Sequence, residues 1–257
     1  MRIKTCGLLA ALLLCLLATG CGLRRESNRI PDIPRNTRQM QDYKTDEKGR
    51  PSYPGALLGV DVSDHQGEID WEKAKADGVR FAILRIGYRG YSEGSLCTDE
   101  RFAENYVNAR KAGLQVGVYF YSQALSTEEA RAEAAYVLDL LDEVPLELPV
   151  FYDWEEVSIG RTGGKASSAV GDYALHFCQS ITEGGYQAGV YFNQRYGYSI
   201  MHLEALTAYP FWIAEYDSYQ SFGYQTDFWQ FTGSGHVDGI NVIVDMDLMY
   251  APEEEHE

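Results

Sequence analysis

The chain has 257 residues, 45% of them hydrophobic and 23% charged, a composition that supports a sizeable core and excludes an intrinsically disordered protein. Its 22 lysines and arginines against 38 aspartates and glutamates leave a formal net charge of -16, which disfavours nucleic acid as a partner. Aromatic residues make up 13% of the chain, with 19 tyrosines and 4 tryptophans.

Residues 1–20 have the pattern of a secretory signal peptide. Arg2 and Lys4 precede an almost wholly apolar run at 7–19, which is shorter than the roughly 20 residues of a membrane-spanning helix. The small residues before Cys21 resemble a bacterial lipoprotein cleavage box. The sequence therefore predicts an exported protein whose Cys21 carries a lipid that attaches it to a membrane, with plain secretion as the alternative.

The rest of the chain divides by composition. Residues 21–55 are polar, carry four of the eight prolines and show no periodicity, which predicts a flexible tether. Residues 56–252 have no break in composition and are predicted to form one catalytic domain, followed by an acidic tail at 253–257. Only Cys97 and Cys178 of the five cysteines fall in the domain, where a disulfide and two free thiols are both open.

Short apolar runs rich in β-branched and aromatic residues alternate with amphipathic segments in this domain. Strands are predicted at 57–62, 80–86, 115–121, 149–153, 187–192, 210–214, 227–231 and 242–248. Helices are predicted at 71–77, 100–112, 127–142, 168–183 and 194–206, with none between the last two strands. The alternation predicts an α/β protein with parallel β/α units, closed as a small or incomplete TIM-like barrel. No glycine-rich turn follows the first strand, which disfavours a dinucleotide-binding fold.

Polar and aromatic residues stand at the predicted strand ends. In a β/α barrel the carboxyl ends of the strands meet at one rim and form the active site. Tyrosine and tryptophan rings stack on the apolar faces of sugars, so the aromatic residues here predict a carbohydrate substrate. The predicted substrate-binding residues are Tyr119, Tyr121, Tyr191, Tyr216, Trp229 and Gln230.

The sharpest feature is the pair Asp153 and Glu155. Residues two apart on a strand point to the same face, about 6.5 to 7 Å apart at Cα, while Trp154 between them faces away. Like charges this close raise at least one pKa, and a carboxyl that stays protonated near neutral pH can cleave a glycosidic bond by general acid catalysis. The alternative is an accidental pair of solvated loop acids, which Asp61 and Asp245 at matching rim positions disfavour.

Other catalytic arrangements are weaker. His65 with Asp61 and Asp64 is compatible with a metal site, but the other histidines have no ligand spacing, so neither a metal nor another cofactor is expected. No nucleophile-elbow pattern surrounds any serine, which disfavours a serine hydrolase.

The strand-end motifs resemble those of one known family. They cover essentially all of 57–250 in family order: GVDVSDHQG at 59–67, FAILRIG at 81–87, VGVYFYS at 116–122, PVFYDWE at 149–155, GVYFN at 189–193, WIAEY at 212–216, WQFT at 229–232 and VDMD at 244–247. The family is glycoside hydrolase family 25, the Ch-type lysozymes or N-acetylmuramidases. The resemblance implies a flattened, irregular β/α barrel of about five β/α units followed by extra strands.

The resemblance also implies an activity. It is hydrolysis of the β-1,4 bond between N-acetylmuramic acid and N-acetylglucosamine, with peptidoglycan glycan strands as the partner of a monomeric enzyme. Glu155 would be the general acid and later the base, and Asp153 would orient the substrate's own 2-acetamido group as the nucleophile of a retaining reaction. Asp61 and Asp245 match the family's other two rim acids. A tethered glycan-binding module without catalysis and a glycosidase of chitin oligomers are the competing hypotheses.

Overall fold

A computed structural model describes residues 32–251 of the chain. The helices in this range are α1 (Trp71–Ala76), α2 (Phe102–Lys111), α3 (Thr127–Leu141), α4 (Ala169–Glu183) and α5 (Gln194–Ser199), with 3-10 turns at Met40–Asp42, Asp64–Gln66 and Leu203–Leu206. The strands are β1 (Lys44–Thr45), β2 (Pro51–Ser52), β3 (Leu57–Val62), β4 (Phe81–Arg89), β5 (Leu96–Thr98), β6 (Gln115–Ser122), β7 (Val150–Trp154), β8 (Ala188–Asn193), β9 (Phe211–Ala214), β10 (Phe228–Gly235) and β11 (Val244–Met249). None of the helices among these residues is long and apolar enough to cross a membrane.

Eight strands close into a barrel, as the alternating pattern predicts. Strands β3, β4, β6, β7, β8, β9 and β10 are parallel neighbours in that order. Strand β11 runs antiparallel between β10 and β3 and closes the barrel. The five β/α units followed by extra strands are therefore confirmed, whereas the sequence pattern did not predict the antiparallel direction of β11.

Large aromatic side chains fill the lower half of the barrel. Phe81, Phe151 and Phe228 are at most 4% exposed, and the Phe228 ring contacts each of the other two edge to face. Two glycines on the inward face make room for them: a Cβ on Gly59 would lie 2.2 Å from the Phe81 ring, and one on Gly189 would lie 2.5 Å from the Phe151 ring. This packed floor leaves only the upper half of the barrel open to a ligand.

The helices cover the outside of the barrel and bury the outward-facing strand residues. The predicted fifth helix, 194–206, differs from the structure because the chain leaves the helix after Ser199. His202 then takes a left-handed backbone conformation with φ of 49°, and a separate 3-10 turn follows it. At the second unit, β4 runs on to Arg89 and forms a hairpin with β5, which the sequence pattern does not show.

The flexible tether expected over 21–55 is wrong for residues 32–55. Ile33 and Tyr43 are buried at 7% and 9% exposure, and the Tyr43 ring packs edge to face on Trp229 with centroids 5.5 Å apart. Its hydroxyl hydrogen-bonds to the Tyr250 hydroxyl at 2.9 Å. Strands β1 and β2 form a hairpin whose turn is fastened by Asp46. A few large apolar side chains thus attach a polar segment to the barrel, and the domain begins before residue 56.

The remaining expectations concern the two cysteines of the domain and the two ends of the chain. Cys97 and Cys178 are both free thiols, which settles the open alternative against a disulfide. The predicted signal peptide at 1–20, the lipidation at Cys21 and the acidic tail at 253–257 lie outside the described residues.

Candidate active site

A cavity of about 600 Å³ opens at the rim where the parallel strands end. Cavities of about 650 and 740 Å³ elsewhere on the surface are larger, but neither brings four inward-facing acids together. The rim cavity is lined by nine of the ten side chains that the sequence singles out for catalysis or substrate binding: Asp61, Tyr119, Tyr121, Asp153, Glu155, Tyr191, Tyr216, Gln230 and Asp245. Chemistry rather than volume therefore identifies the candidate site.

Asp153 and Glu155 reach this cavity from the carboxyl end of β7. Both face inward, whereas Trp154 is 2% exposed in the outer layer and donates its indole N–H to the Ala124 carbonyl at 2.9 Å. Asp153 is 6% exposed, and its Oδ1 is buried without a hydrogen-bond donor among the described residues. The alternation of side chains along the strand thus places two acids in one cavity. One of them, Asp153, has an oxygen that can accept a hydrogen bond from a ligand.

The backbone of Glu155 is held by two buried polar side chains. The Gln123 amide donates to the Glu155 carbonyl at 2.7 Å, and the Thr162 hydroxyl lies 3.2 Å from the same carbonyl. Thr162 Oγ1 also donates to Gln123 Oε1 at 2.8 Å and accepts from the Val157 N–H at 2.9 Å. The loop after β7, whose sequence gives no hint of structure, therefore fixes the position of the acid.

The pKa values of both acids are raised. Burial is the largest cause for Asp153, followed by the negative charge of Glu155, and Arg85 opposes the shift. Burial also raises the pKa of Glu155, the charge of Asp245 adds to it, and a hydrogen bond with Tyr121 opposes it. A carboxyl whose protonated form persists toward neutral pH has the property that a general acid needs.

Gln230 connects three strands of the rim through its side-chain amide. Its Nε2 donates to Asp61 Oδ2 at 2.8 Å, and its Oε1 accepts from the Tyr191 and Tyr216 hydroxyls, each at 3.0 Å. Asp61 is 5% exposed and its pKa is raised well above the usual value, first by burial and then by the charges of Asp247 and Asp245. This network orients one acid and two aromatic side chains at once.

Asp245 reaches the rim because β11 is antiparallel. It is the second residue of its strand and pairs in register with Asp61 at the end of β3. A parallel strand would have presented its carboxyl end here instead. Burial raises the pKa of Asp245. Asp247, two residues further along the same strand, pairs with Gly59 and lies one step deeper in the barrel.

Trp229 does not line the cavity. It is fully buried in the outer layer, where its indole N–H donates to the Glu215 carbonyl at 2.6 Å and its ring packs against Phe231. Neighbouring residues on a strand face opposite sides, so Trp229 and Gln230 cannot both point inward. The tryptophan that does line the cavity is Trp212, which the sequence analysis missed; counting back two residues from the end of β9 would have found it.

Cations at the cavity are already paired with acids. Arg85 bonds Asp64 Oδ1 at 2.6 Å and Asp99 Oδ2 at 2.8 Å, and Arg89 bonds Glu133 Oε1 at 2.6 Å. His65 lies at the cavity mouth with a largely exposed side chain. Among residues 32–251 no group of three or more His, Cys, Asp or Glu side chains is arranged to hold a metal ion.

The sequence is similar to one known protein family and to several known proteins. The model of the glycosyl hydrolases family 25 matches residues 60–240. An uncharacterized protein, YegX of Escherichia coli O157:H7, is 28% identical over 77% of this chain and 71% of its own, and the autolytic lysozyme of Clostridium acetobutylicum is 27% identical over 74% and 55%.

Solved structures share the fold. The modular autolysin LytC of Streptococcus pneumoniae superposes with a TM-score of 0.68 at 24% identity, covering 85% of this chain and 52% of that one. The same autolysin is also known in complex with a synthetic peptidoglycan ligand. The chain thus spans about half the length of the clostridial lysozyme and of LytC.

Proposed function

Because the chain belongs to glycosyl hydrolase family 25, we propose that it hydrolyses the β-1,4 bond between N-acetylmuramic acid and N-acetylglucosamine in peptidoglycan. The named relatives support this substrate, since one is an autolytic lysozyme and another has been solved with a peptidoglycan ligand. The observation that carries the proposal is the grouping of four acidic side chains in the cavity at the carboxyl ends of the parallel strands. Asp153 near the end of β7 and Glu155 directly after that strand line one cavity with Asp61 and Asp245, which lie on the paired strands β3 and β11.

Glu155 is the general acid of this proposal. Its raised pKa keeps a proton available for the oxygen of the leaving sugar, and the Gln123 and Thr162 side chains hold its backbone in place. Once the leaving sugar has taken the proton, the Glu155 carboxylate removes a proton from the attacking water and is restored to its starting state. One residue thus serves both halves of the reaction.

Asp153 acts on the substrate rather than on the leaving group. It orients the 2-acetamido group of the sugar, and the carbonyl oxygen of that group attacks the anomeric carbon as the glycosidic bond breaks. The buried Oδ1 of Asp153, which has no donor among residues 32–251, is suited to accept the acetamido N–H. Reaction through the substrate's own group retains the configuration without a glycosyl-enzyme ester, an exception to the two-carboxylate scheme.

The aromatic walls supply the binding surface. Tyr119, Tyr121 and Tyr191 line the cavity with Trp212, and Tyr216 stands at its edge with 62% of its surface exposed. Sugar rings stack on such faces while their hydroxyls bond the polar groups between them. Lipid attachment at Cys21 and export by the segment at 1–20 would bring this cavity to the cell envelope, where the enzyme acts as a monomer.

The test compares the full-length protein with Glu155→Gln on purified peptidoglycan. We expect the wild type to release reducing ends at muramic acid and the variant to lose about 10²- to 10⁴-fold in kcat, the usual contribution of a general acid. The melting temperature of the variant should stay within a few degrees of the wild type, because a neutral amide replaces an acid in a cluster of like charges.

Four outcomes would contradict the proposal. Full activity in Glu155→Gln would remove the residue from the mechanism. Binding of glycan strands without any product by mass spectrometry would favour the binding module. Faster cleavage of N-acetylglucosamine oligomers than of peptidoglycan would favour the chitin-oligomer glycosidase. Equal cleavage of de-N-acetylated glycan would contradict the role of the acetamido group.

A further inference from the structure

Asp247 is a buried acid that the proposed mechanism does not use. It lies two residues beyond Asp245 on β11, so it faces the same interior but sits deeper, with no exposed surface. Its Oδ1 accepts a hydrogen bond from Trp212 Nε1 at 2.8 Å. Its Oδ2 is buried and has no donor among the described residues. An ionised carboxylate in this position would leave one oxygen unsatisfied in a low-dielectric interior, which is costly.

The nearest polar neighbour of Asp247 is another acid. The strand pairing sets Asp247 opposite Gly59, which has no side chain, so the Asp247 carboxyl can reach the Asp61 side chain diagonally along β3. The two carboxyl groups are within hydrogen-bonding contact. Two carboxylates cannot bond each other, because each has only acceptors; one of them must carry a proton.

The charges around the pair also favour a shared proton. Asp245 is the nearest further acid, and its charge acts on both members. The other titratable groups facing the pair from neighbouring strands are Tyr119, Tyr191 and Tyr216, with the cation Arg85 beyond Tyr119. Arg85 is engaged by two other acids. Burial therefore raises the pKa of both members of the pair, that of Asp247 to about 8.

We propose that Asp247 is a positioning residue that shares one proton with Asp61 at neutral pH, so that a single O–H···O hydrogen bond joins the two carboxyl groups. Each carboxyl accepts one bond from a neutral donor, Asp247 from Trp212 Nε1 and Asp61 from Gln230 Nε2, and each keeps one oxygen for the shared proton. Asp61, which lines the cavity, is then held by hydrogen bonds on two sides and has a fixed orientation toward the substrate. The consequence for catalysis rests on the proposed function, but the protonation of the pair does not.

The first test reads the proton without substrate. Infrared spectra near pH 6.5 should contain the carbonyl stretch of a protonated carboxylic acid that is absent from both Asp247→Asn and Asp61→Asn, because an asparagine amide can donate to the remaining carboxylate. Asp227→Asn, at the opposite end of the barrel, is the matched control and should keep the band unshifted. A spectrum of either Asp247→Asn or Asp61→Asn with the full wild-type intensity would overturn the proposal.

The second test uses activity. Asparagine keeps an acceptor for Trp212 and a donor for Asp61, so Asp247→Asn should keep kcat at pH 6 within about threefold of the wild type. Asp247→Leu, which has neither, should lose on the order of tenfold or more in kcat if it remains folded by circular dichroism. Equal loss in the two variants, both folded, would overturn the positioning role.

The pH profile separates this role from a merely structural one. On the alkaline side the wild type loses the proton of Glu155 and that of the pair, so the slope of log kcat/KM against pH should approach about -2, against about -1 in Asp247→Asn, which has no shared proton to lose. Superimposable alkaline limbs would contradict the proposal. A protein without hydrolase activity that still loses the infrared band on Asp247→Asn would refute the proposed function and leave this inference standing.

Discussion

Single residues at this site are defined by which way their side chains face. Gln230 and Trp229 are adjacent at the end of β10, yet one organises the cavity and the other lies in the outer layer. Residue type alone favours the tryptophan as a sugar platform, and only strand alternation corrects that choice in favour of Trp212. The acids were predictable because Asp153 and Glu155 are two residues apart at the end of one strand.

The raised pKa values of the cavity acids predict an unusual dependence of stability on pH. The pKa values of Asp61, Asp153, Asp247 and Glu155 are all raised in the folded protein. Between about pH 4, where such acids titrate when unfolded, and the raised folded values, the native state binds more protons than the unfolded state. The free energy of unfolding should therefore fall as pH rises from about 5 to 8.

Urea unfolding at several pH values checks this expectation. Acids with lowered pKa values, such as Asp46 and Asp77, titrate below this window and do not offset the trend. Asp153→Asn should flatten the decline, because it removes one of the groups that must ionise. A wild-type stability that increases from pH 5 to 8 would show that the acids are ionised in the folded protein.

At the level of elements, the loop after β7 has a catalytic consequence. Thr162 is fully buried, and its hydroxyl ties Gln123 and Val157 together behind Glu155. Thr162→Val should lower kcat on the order of tenfold with little change in KM, because the acid is displaced while the sugar-binding walls are not. Steady-state kinetics on peptidoglycan measure the split, and Thr162→Ser, which restores the hydroxyl, should recover most of the rate. A rise in KM alone would assign the loop to substrate binding instead.

The N-terminal segment is part of the folded domain, and its stability contribution can be measured. Tyr43→Ala should lower the free energy of unfolding by about 3 to 5 kcal/mol, as for other large buried aromatic residues. Tyr43→Phe, which loses only the bond to Tyr250, should lower it by about 0.5 to 1.5 kcal/mol. Met40, in the same segment, is 61% exposed, so Met40→Ala serves as the control in urea titrations. Equal stabilities of all four proteins would mean that the segment contributes nothing to the core.

The whole molecule carries a charge that opposes its proposed substrate. A net charge of -16 repels an anionic cell wall, and the range of this repulsion shrinks from about 30 Å at 0.01 M salt to about 10 Å at 0.1 M. Activity on intact cell walls should therefore rise over this range of salt. A short uncharged glycan should show no such rise. Activity on walls that falls with added salt would show that attraction by local cations dominates instead.

The order of apolar runs was sufficient by itself to predict the barrel, its five β/α units and the acids at its rim. These features follow from short-range periodicity, which the amino-acid sequence shows directly, and from the general rule that the carboxyl ends of parallel strands meet at one rim. The tertiary structure decided which neighbours face inward, that β11 runs antiparallel, that residues 32–55 pack onto the barrel, and that Asp247 contacts Asp61. Each of these depends on contacts between residues far apart in the chain, and local sequence does not encode the direction or partner of such contacts.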